Sequence, residues 1–208
     1  HDHSRVIEGQ GSGVSRREGF STDDSAASTL VCDIVQVTDM SERDLVLRSQ
    51  DGDQAAFGEL VTRNRDQIWA VCLRITANKH DAEDALQDAL VAGWQNIGKF
   101  RGDSKFTSWM YRIAANAALA VIRKRLDTSA DGPPEFESPA PRVDAQVADV
   151  DRVRAALALL PLEFREAIVL REFGDLSYQE IADQQGVGVQ TVKSRINRAR
   201  AKLLETLS

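Results

Sequence analysis

Residues 176–204 read LSYQEIADQQGVGVQTVKSRINRARAKLL, and this stretch decides the fold of the C-terminal part of the chain. Ser177 followed by Glu180 is a capping box: the hydroxyl accepts a free helix N–H and the carboxylate reaches back to the N–H of the cap. A short helix is expected to start there and to end near Gln185. Gly186-Val187-Gly188 then supplies a turn, because glycine accepts the positive φ that chain reversal often requires. A second helix is expected from Val189. Its Val192, Ile196, Ala199 and Leu203 fall at i, i+4, i+7 and i+11 on one face, leaving Gln190, Lys193, Ser194, Asn197 and Arg198 on the other. The pattern is a helix-turn-helix whose second helix is basic.

Charge points to the partner of this helix. From Gly186 to the end, Lys193, Arg195, Arg198, Arg200 and Lys202 stand against Glu205 alone, in a chain whose formal net charge is -6. A phosphate-lined groove suits such a surface better than a protein core does. Residues 99–126 form a second basic stretch, in which Lys99, Arg101, Lys105, Arg112, Arg123, Lys124 and Arg125 face only Asp103. Elsewhere the chain is acidic, so two nucleic-acid contacts lie on a molecule that otherwise repels nucleic acid and would bind it only with help.

Composition bounds the rest. The chain has 208 residues, 28% charged and 42% hydrophobic, ordinary values for a globular protein of one large or two small domains. No run approaches the roughly 20 apolar residues of a membrane span, and no basic region followed by an apolar run marks a secretory signal. No membrane insertion and a cytoplasmic location are therefore expected. Cys32 and Cys72 lack metal-ligand spacing and read as reduced thiols. Strand-like alternation is scarce and helical spacing common, so the fold class is all-α: two small helical domains joined by a flexible, acidic, proline-rich linker, the second a helix-turn-helix.

Taken in order, residues 1–40 read as a disordered extension rich in Gly, Ser, Asp and Arg. Within it, Leu30–Val37 (LVCDIVQV) is an apolar run compatible with a strand, a helix fragment or a docking segment. The first domain is expected over 41–126. Helices are predicted over about 42–50 and 53–76, broken at Gly52, with Leu45, Val46, Phe57, Leu60, Val61, Ile68, Val71, Cys72 and Ile75 buried and Trp69 in the core. A third helix is expected to begin at Asp81, a capping carboxylate. Ala82, Ala85, Leu86, Ala89 and Leu90 face inward, leaving Asp81, Asp84, Gln87 and Asp88 on an acidic stripe that is either a solvated face or a protein-docking surface. Lys99–Lys105 (KFRGDSK) reads as a glycine-centred loop, and a fourth helix is predicted from Phe106 to Leu126. Its basic, aromatic and amide side chains suit single-stranded DNA, whose backbone needs positive charge and whose bases need planar or amide partners; Trp109 reads as core. Residues 127–149 hold four of the five prolines and six acids against Arg142, the composition of a linker. The second domain is expected over 150–208, with helices ending at Leu160 and running from Glu163 to Arg171 before the helix-turn-helix.

With these motifs in order, residues 41–207 resemble the extracytoplasmic-function class of bacterial sigma factors, of the sigma-70 family. HDAEDALQDAL looks like the polymerase-binding helix, KFRGDSKFTSWMYRIAANAALAVIRKR like the minus-10 recognition and melting segment, and LSYQEIADQQGVGVQTVKSRINRARAKL like the minus-35 reading motif. The resemblance implies that Asp81, Asp84, Gln87 and Asp88 contact core RNA polymerase, chiefly the clamp helices of β′, with the β subunit also engaged. It implies that Lys99, Arg101, Gly102, Asp103, Ser104 and Lys105 capture a flipped minus-10 base, at an unstacking cost of a few kcal/mol, and that Arg112 and Asn116 support the separated strand. Gln190, Thr191, Lys193, Ser194, Asn197 and Arg198 would enter the major groove of the minus-35 element. Promoter DNA, core polymerase and an anti-sigma factor are the implied partners, with no cofactor, no metal and no catalytic residue. Ala115 and Ala120 depart from the pattern, standing where many relatives carry a basic and an acidic residue, and Gly188 replaces a more usual cap.

Two other functions compete. An autonomous helix-turn-helix regulator needs a dimer surface, and no dimerisation heptads are present. An enzyme with a DNA-binding tail needs a phosphate loop, a metal cluster or a nucleophile constellation, and the sequence offers none.

Overall fold

The structure, a computed structural model, describes residues 40–128 and 145–208, the side chains of 145–149 excepted. The expectations for residues 1–39, including Leu30–Val37 and Cys32, and for most of the proline-rich stretch lie outside the described residues. Among the described residues every regular element is helical: α1 (Glu42–Gln50), α2 (Gln54–Thr76), α3 (Lys79–Asn96), a 3-10 turn (Ile97–Lys99), α4 (Phe106–Thr128), α5 (Ala145–Ala158), α6 (Leu162–Glu172), α7 (Tyr178–Gln185) and α8 (Val189–Leu207).

Local chemistry starts most of them. The Ser41 hydroxyl accepts the N–H of Asp44 at 3.2 Å and opens α1. Asp53 accepts from Ala55 and Ala56 to open α2, its other oxygen taking the Arg48 Nε–H at 2.7 Å. The start of α3 differs from expectation. Asn78 is the cap, its Oδ1 accepting the Asp81 N–H at 3.1 Å, so Asp81 lies inside the first turn rather than before it. Both positions carry side chains able to cap, and sequence alone does not rank them. Pro161, with φ -52, precedes α6, and the N–H groups of Phe164 and Arg165 return to its carbonyl. The capping box of Ser177 and Glu180 opens α7, and Gly186 closes it in the left-handed region at φ 64. Helix α8 starts at Gly188 without any side-chain cap.

Helices α2, α3 and α4 pack on one another and α1 packs on α2. Leu45, Leu60, Ile68, Ile75, Phe106 and Met110 are fully buried between them. Helices α3 and α4 approach closely because Gly93 has no side chain: a Cβ there would lie 2.8 Å from the Met110 sulfur. Val61, expected in the core, is only half-buried, and Trp69 and Trp109 pack against the core from its edge. In the second body α6, α7 and α8 enclose Leu170, Leu176, Ile181, Val192 and Ile196, and α5 lies along α8.

The two bodies touch. Helix α2 packs on α5 and α6, and α4 on α6, so their apolar interiors form one continuous cluster. The seam contains Arg165. Its Nη1 donates to the Ile75 carbonyl at 2.8 Å, and its Nη2 to the carbonyls of Ala158 at 2.6 Å and Leu160 at 3.2 Å.

The two turn glycines should respond oppositely to substitution. Gly186→Ala forces a Cβ into the left-handed region and is expected to cost about 1 kcal/mol. Gly188→Ser adds the missing cap where a Cβ meets nothing within 4 Å, and is expected to add about 0.5 kcal/mol. Thermal melts check the signs; shifts in the same direction would refute this assignment. The capping box carries a pH signature. Hydrogen bonds from the Ser177 N–H and hydroxyl hold the Glu180 carboxyl below its usual value of 4.5. Its contribution is therefore present above the unfolded pKa and lost as pH falls below 4.5 through the folded value. Glu180→Gln should flatten the acid limb of the stability profile in that window, measured by urea unfolding.

Candidate nucleic-acid interface

The buried stripe of α8 (Val192, Ile196, Ala199) fixes its rotation. The opposite face follows: Gln190, Thr191, Lys193, Ser194, Asn197 and Arg198 are all exposed. Gln190, Thr191, Ser194 and Arg198 line one shallow hollow of about 370 Å³ with Phe164 and Arg195. The ammonium of Lys193 stands 5.8 Å from the Tyr178 ring.

The five cations of this segment do different work. Arg195 turns inward and donates to Gln185 Oε1 at 2.7 Å, while Gln185 Nε2 donates to the Glu163 carbonyl and to Glu166, each at 2.9 Å. That chain ties α8 to α7 and α6. It also holds the buried Glu166, whose pKa is raised by desolvation against the opposing hydrogen bond from Gln185. Arg200 pairs with Glu172 and Lys202 with Glu205. Arg198, by contrast, makes no hydrogen bond or ion pair among the described residues and is available to a phosphate or a base edge. Counting charges in the sequence had no means of separating these roles.

The second basic surface is built around the segment from Lys99 to Lys105. Lys99, Arg101, Gly102, Asp103 and Lys105 are exposed and Ser104 is half-buried. Gly102 takes φ 76, which presents this tip. Two residues of α1 anchor the segment: Gln50 Nε2 donates to the carbonyls of Ile97 at 3.2 Å and Phe100 at 2.8 Å, and Glu42 accepts the Phe106 N–H at 3.3 Å. Phe100, Phe106 and Trp109 stack beneath it, with ring centroids 5.2 to 6.2 Å apart. Nothing in the α1 sequence announced Gln50 or Glu42, because their partners lie 50 and 64 residues away. Further along α4, Asn116 is exposed and Arg112 half-exposed, while Ala115 is fully buried. The departure at Ala115 therefore acts on packing, whereas Ala120 faces solvent.

The acidic stripe is a third surface. Asp81, Asp84, Gln87 and Asp88 line one hollow of about 480 Å³ with Lys124 and Arg125 of α4. Asp84, Gln87 and Asp88 are exposed. Asp81 is half-buried and pairs with Arg125. Desolvation raises its pKa and Arg125 opposes that rise. Asp81 thus ties α3 to α4, while its three neighbours face solvent. Among the described residues no cluster of His, Cys, Asp or Glu could hold a metal, and no helix is long and apolar enough to cross a membrane. Cys72 is buried, and desolvation pushes its thiol up to about 12.

Known proteins resemble this chain in sequence and in fold. Residues 60–127 match the family model for sigma-70 region 2, and residues 151–203 that for sigma-70 region 4. Over 190 residues the chain is 35% identical to the RNA polymerase sigma-H factor of Pseudomonas aeruginosa, spanning 82% of this chain and 96% of that protein. The chain belongs to the extracytoplasmic-function class of the sigma-70 family. This sigma factor is also 36% identical over 167 residues to SigM of Mycobacterium tuberculosis (80% of this chain, 85% of that protein). It is 34% identical over 177 residues to the sigma-E factor of Escherichia coli (77% and 91%). Among solved structures it is similar to CnrH in complex with the cytosolic domain of CnrY, with TM-score 0.59 and 31% identity over 80% of this chain and 96% of that one. It is likewise similar to RpoE in complex with the anti-sigma factor NepR from Bartonella quintana, with TM-score 0.56 and 27% identity over 73% and 96%.

The two ends of the acidic stripe should separate by stability. Asp81→Ala strands the half-buried Arg125, whose Nε already lacks a partner, and is expected to cost about 1–3 kcal/mol. Asp84→Ala on the exposed face should stay within about 0.5 kcal/mol of the parent. Urea unfolding of both variants decides; equal losses would contradict the division.

Proposed function

We propose that this sigma factor directs core RNA polymerase to specific promoters, reading a minus-35 element with α8 and a minus-10 element with the Lys99–Lys105 segment and α4, and opening the duplex. The observation that supports it most is the pair of exposed basic faces on separate helical bodies, with an exposed acidic face beside one of them. In this reading residues 41–126 form the core-binding and melting domain, 127–149 the linker and 150–208 the minus-35 domain. Asp84, Gln87 and Asp88 dock on the β′ clamp helices, the β subunit completing the interface, and Asp81 holds their helix in place through Arg125. The Lys99–Lys105 segment captures a flipped minus-10 base, and Arg112 and Asn116 support the separated strand. Gln190, Thr191, Lys193, Ser194, Asn197 and Arg198 read base edges and phosphates in the major groove. The protein makes and breaks no covalent bond; it acts by binding, in the cytoplasm with the polymerase. Because CnrH and RpoE were each solved with a partner, RpoE with an anti-sigma factor, a protein of that kind is a further expected partner.

Separation of functions tests the assignment. Lys193→Ala or Arg198→Ala should weaken holoenzyme protection of the minus-35 element, by roughly 5- to 150-fold for a lost base contact, with core affinity unchanged. Asp84→Lys should reverse this, lowering core affinity in a titration while leaving the melting temperature unaltered. Loss of both activities in either variant would refute the division of labour.

A further inference from the structure

Resting on the proposed function, we infer that α1 is a splint for base capture, in which Gln50 and Glu42 are positioning residues that hold the two ends of the Lys99–Lys105 segment in the shape that receives the flipped base. Neither touches DNA in this role. Each acts through the backbone it fixes. Residues 60–127 are those that match the region 2 model, so α1 stands outside that match and its role rests on geometry.

Backbone chemistry points to these two residues. The segment leaves α3 through the 3-10 turn and enters α4 at Phe106, so it runs from helix-end carbonyls to a helix-start N–H, groups that a helix does not satisfy internally. At the entry Gln50 donates one amide hydrogen to each of two carbonyls, Ile97 at 3.2 Å and Phe100 at 2.8 Å. At the exit the Glu42 carboxylate accepts the Phe106 N–H at 3.3 Å and faces the positive end of the α4 dipole. Position 50 must therefore donate and position 42 must accept.

Both anchors come from one rigid element. Glu42 lies three residues before buried Leu45 and Gln50 four after buried Val46, so both border the face that α1 buries. They are about 12 Å apart along the axis, at ~1.5 Å per residue. The chain from Phe100 to Phe106 could extend to roughly 20 Å, so tying its ends to α1 makes it arch, and Gly102 at φ 76 lies in that arch. Helix α1 is itself fixed to α2: Arg63 Nη1 donates to the Met40 carbonyl at 2.8 Å, and Arg48 pairs with Asp53, the cap of α2. Beneath the arch Phe100 and Phe106 are buried with ring centroids 6.2 Å apart, while Lys99, Arg101, Asp103 and Lys105 stay exposed. A loop ordered at both ends before DNA arrives loses less freedom on binding, which leaves more of its contact energy to offset unstacking of the base.

The experiment uses the full chain with core polymerase on a promoter mapped with the parent holoenzyme. Gln50→Met keeps the volume and removes both donors, Glu42→Lys replaces the acceptor by a donor, and Glu42→Gln keeps an acceptor of the same length. At saturating holoenzyme the rate of duplex opening, followed by 2-aminopurine fluorescence in the minus-10 region, should fall roughly fivefold in the first two, the scale of one hydrogen bond. In Glu42→Gln it should stay within about twofold of the parent. Core affinity and minus-35 protection should match the parent throughout. Each minus-10 base is then removed in turn to leave an abasic site, and the site that slows the parent most identifies the captured base. On that promoter Gln50→Met and the parent should open within about twofold of each other, because the contact that α1 positions is gone from both. An equal deficit on the intact and abasic promoters, no deficit on the intact one, or no abasic site that slows the parent overturns the inference. Should Gln50→Met not fold, Glu42→Lys, altered at an exposed position, carries the same comparison. Failure of core and parent to initiate at any promoter would instead overturn the sigma-factor reading beneath it.

Discussion

One buried guanidinium joins the two halves of this molecule. Arg165 has no carboxylate partner among the described residues, its Nε lacks an acceptor, and desolvation with a nearby Arg125 lowers its pKa to about 10. It stays charged at neutral pH. Its compensation is a pair of helix ends: Ile75 lies in the last turn of α2, and Ala158 closes α5. The last carbonyls of a helix lack internal partners and carry the negative end of its dipole, so a cation set between two such ends satisfies both. Because one helix comes from each half, the same side chain orders the α5–α6 corner and docks the second body on α2.

Around that joint the molecule separates charge by role. Cations that support the fold are tied down, as Arg125 is to Asp81 and Arg195 to Gln185, whereas Arg198 has no partner among the described residues and Lys193 rests near an aromatic ring. The acidic face on α3 stands beside this basic apparatus, so charges of opposite sign are held on adjoining surfaces. A chain with a formal net charge of -6 thus still carries two locally basic surfaces.

Much of this was legible in the sequence where the determinants are local. The Ser177–Glu180 box, the glycine turn and the period of Val192, Ile196 and Ala199 each depend on residues within a few positions, and α7 and α8 fall where these place them. Ordered motifs also carried the family. What sequence did not disclose is non-local: Gln50 and Glu42 bracing a loop across the chain, Arg165 reaching Ile75, and Gln184 reaching Asn116. Asp81 shows the middle case. Its place on the acidic face was readable from helical spacing, but its diversion into an ion pair depended on where α4 passes. The choice of Asn78 over Asp81 as cap was missed because two competent residues lay within one turn.

The central claim, that this protein gives promoter specificity to a polymerase that lacks it, is tested most directly by run-off transcription from a library of genomic fragments, with purified core enzyme in the presence and absence of the protein. The expected result is a set of discrete start sites that require both components, whose aligned upstream sequences share two separated elements. Tight binding of fragments by the protein alone, with no initiation when core is added, would contradict it.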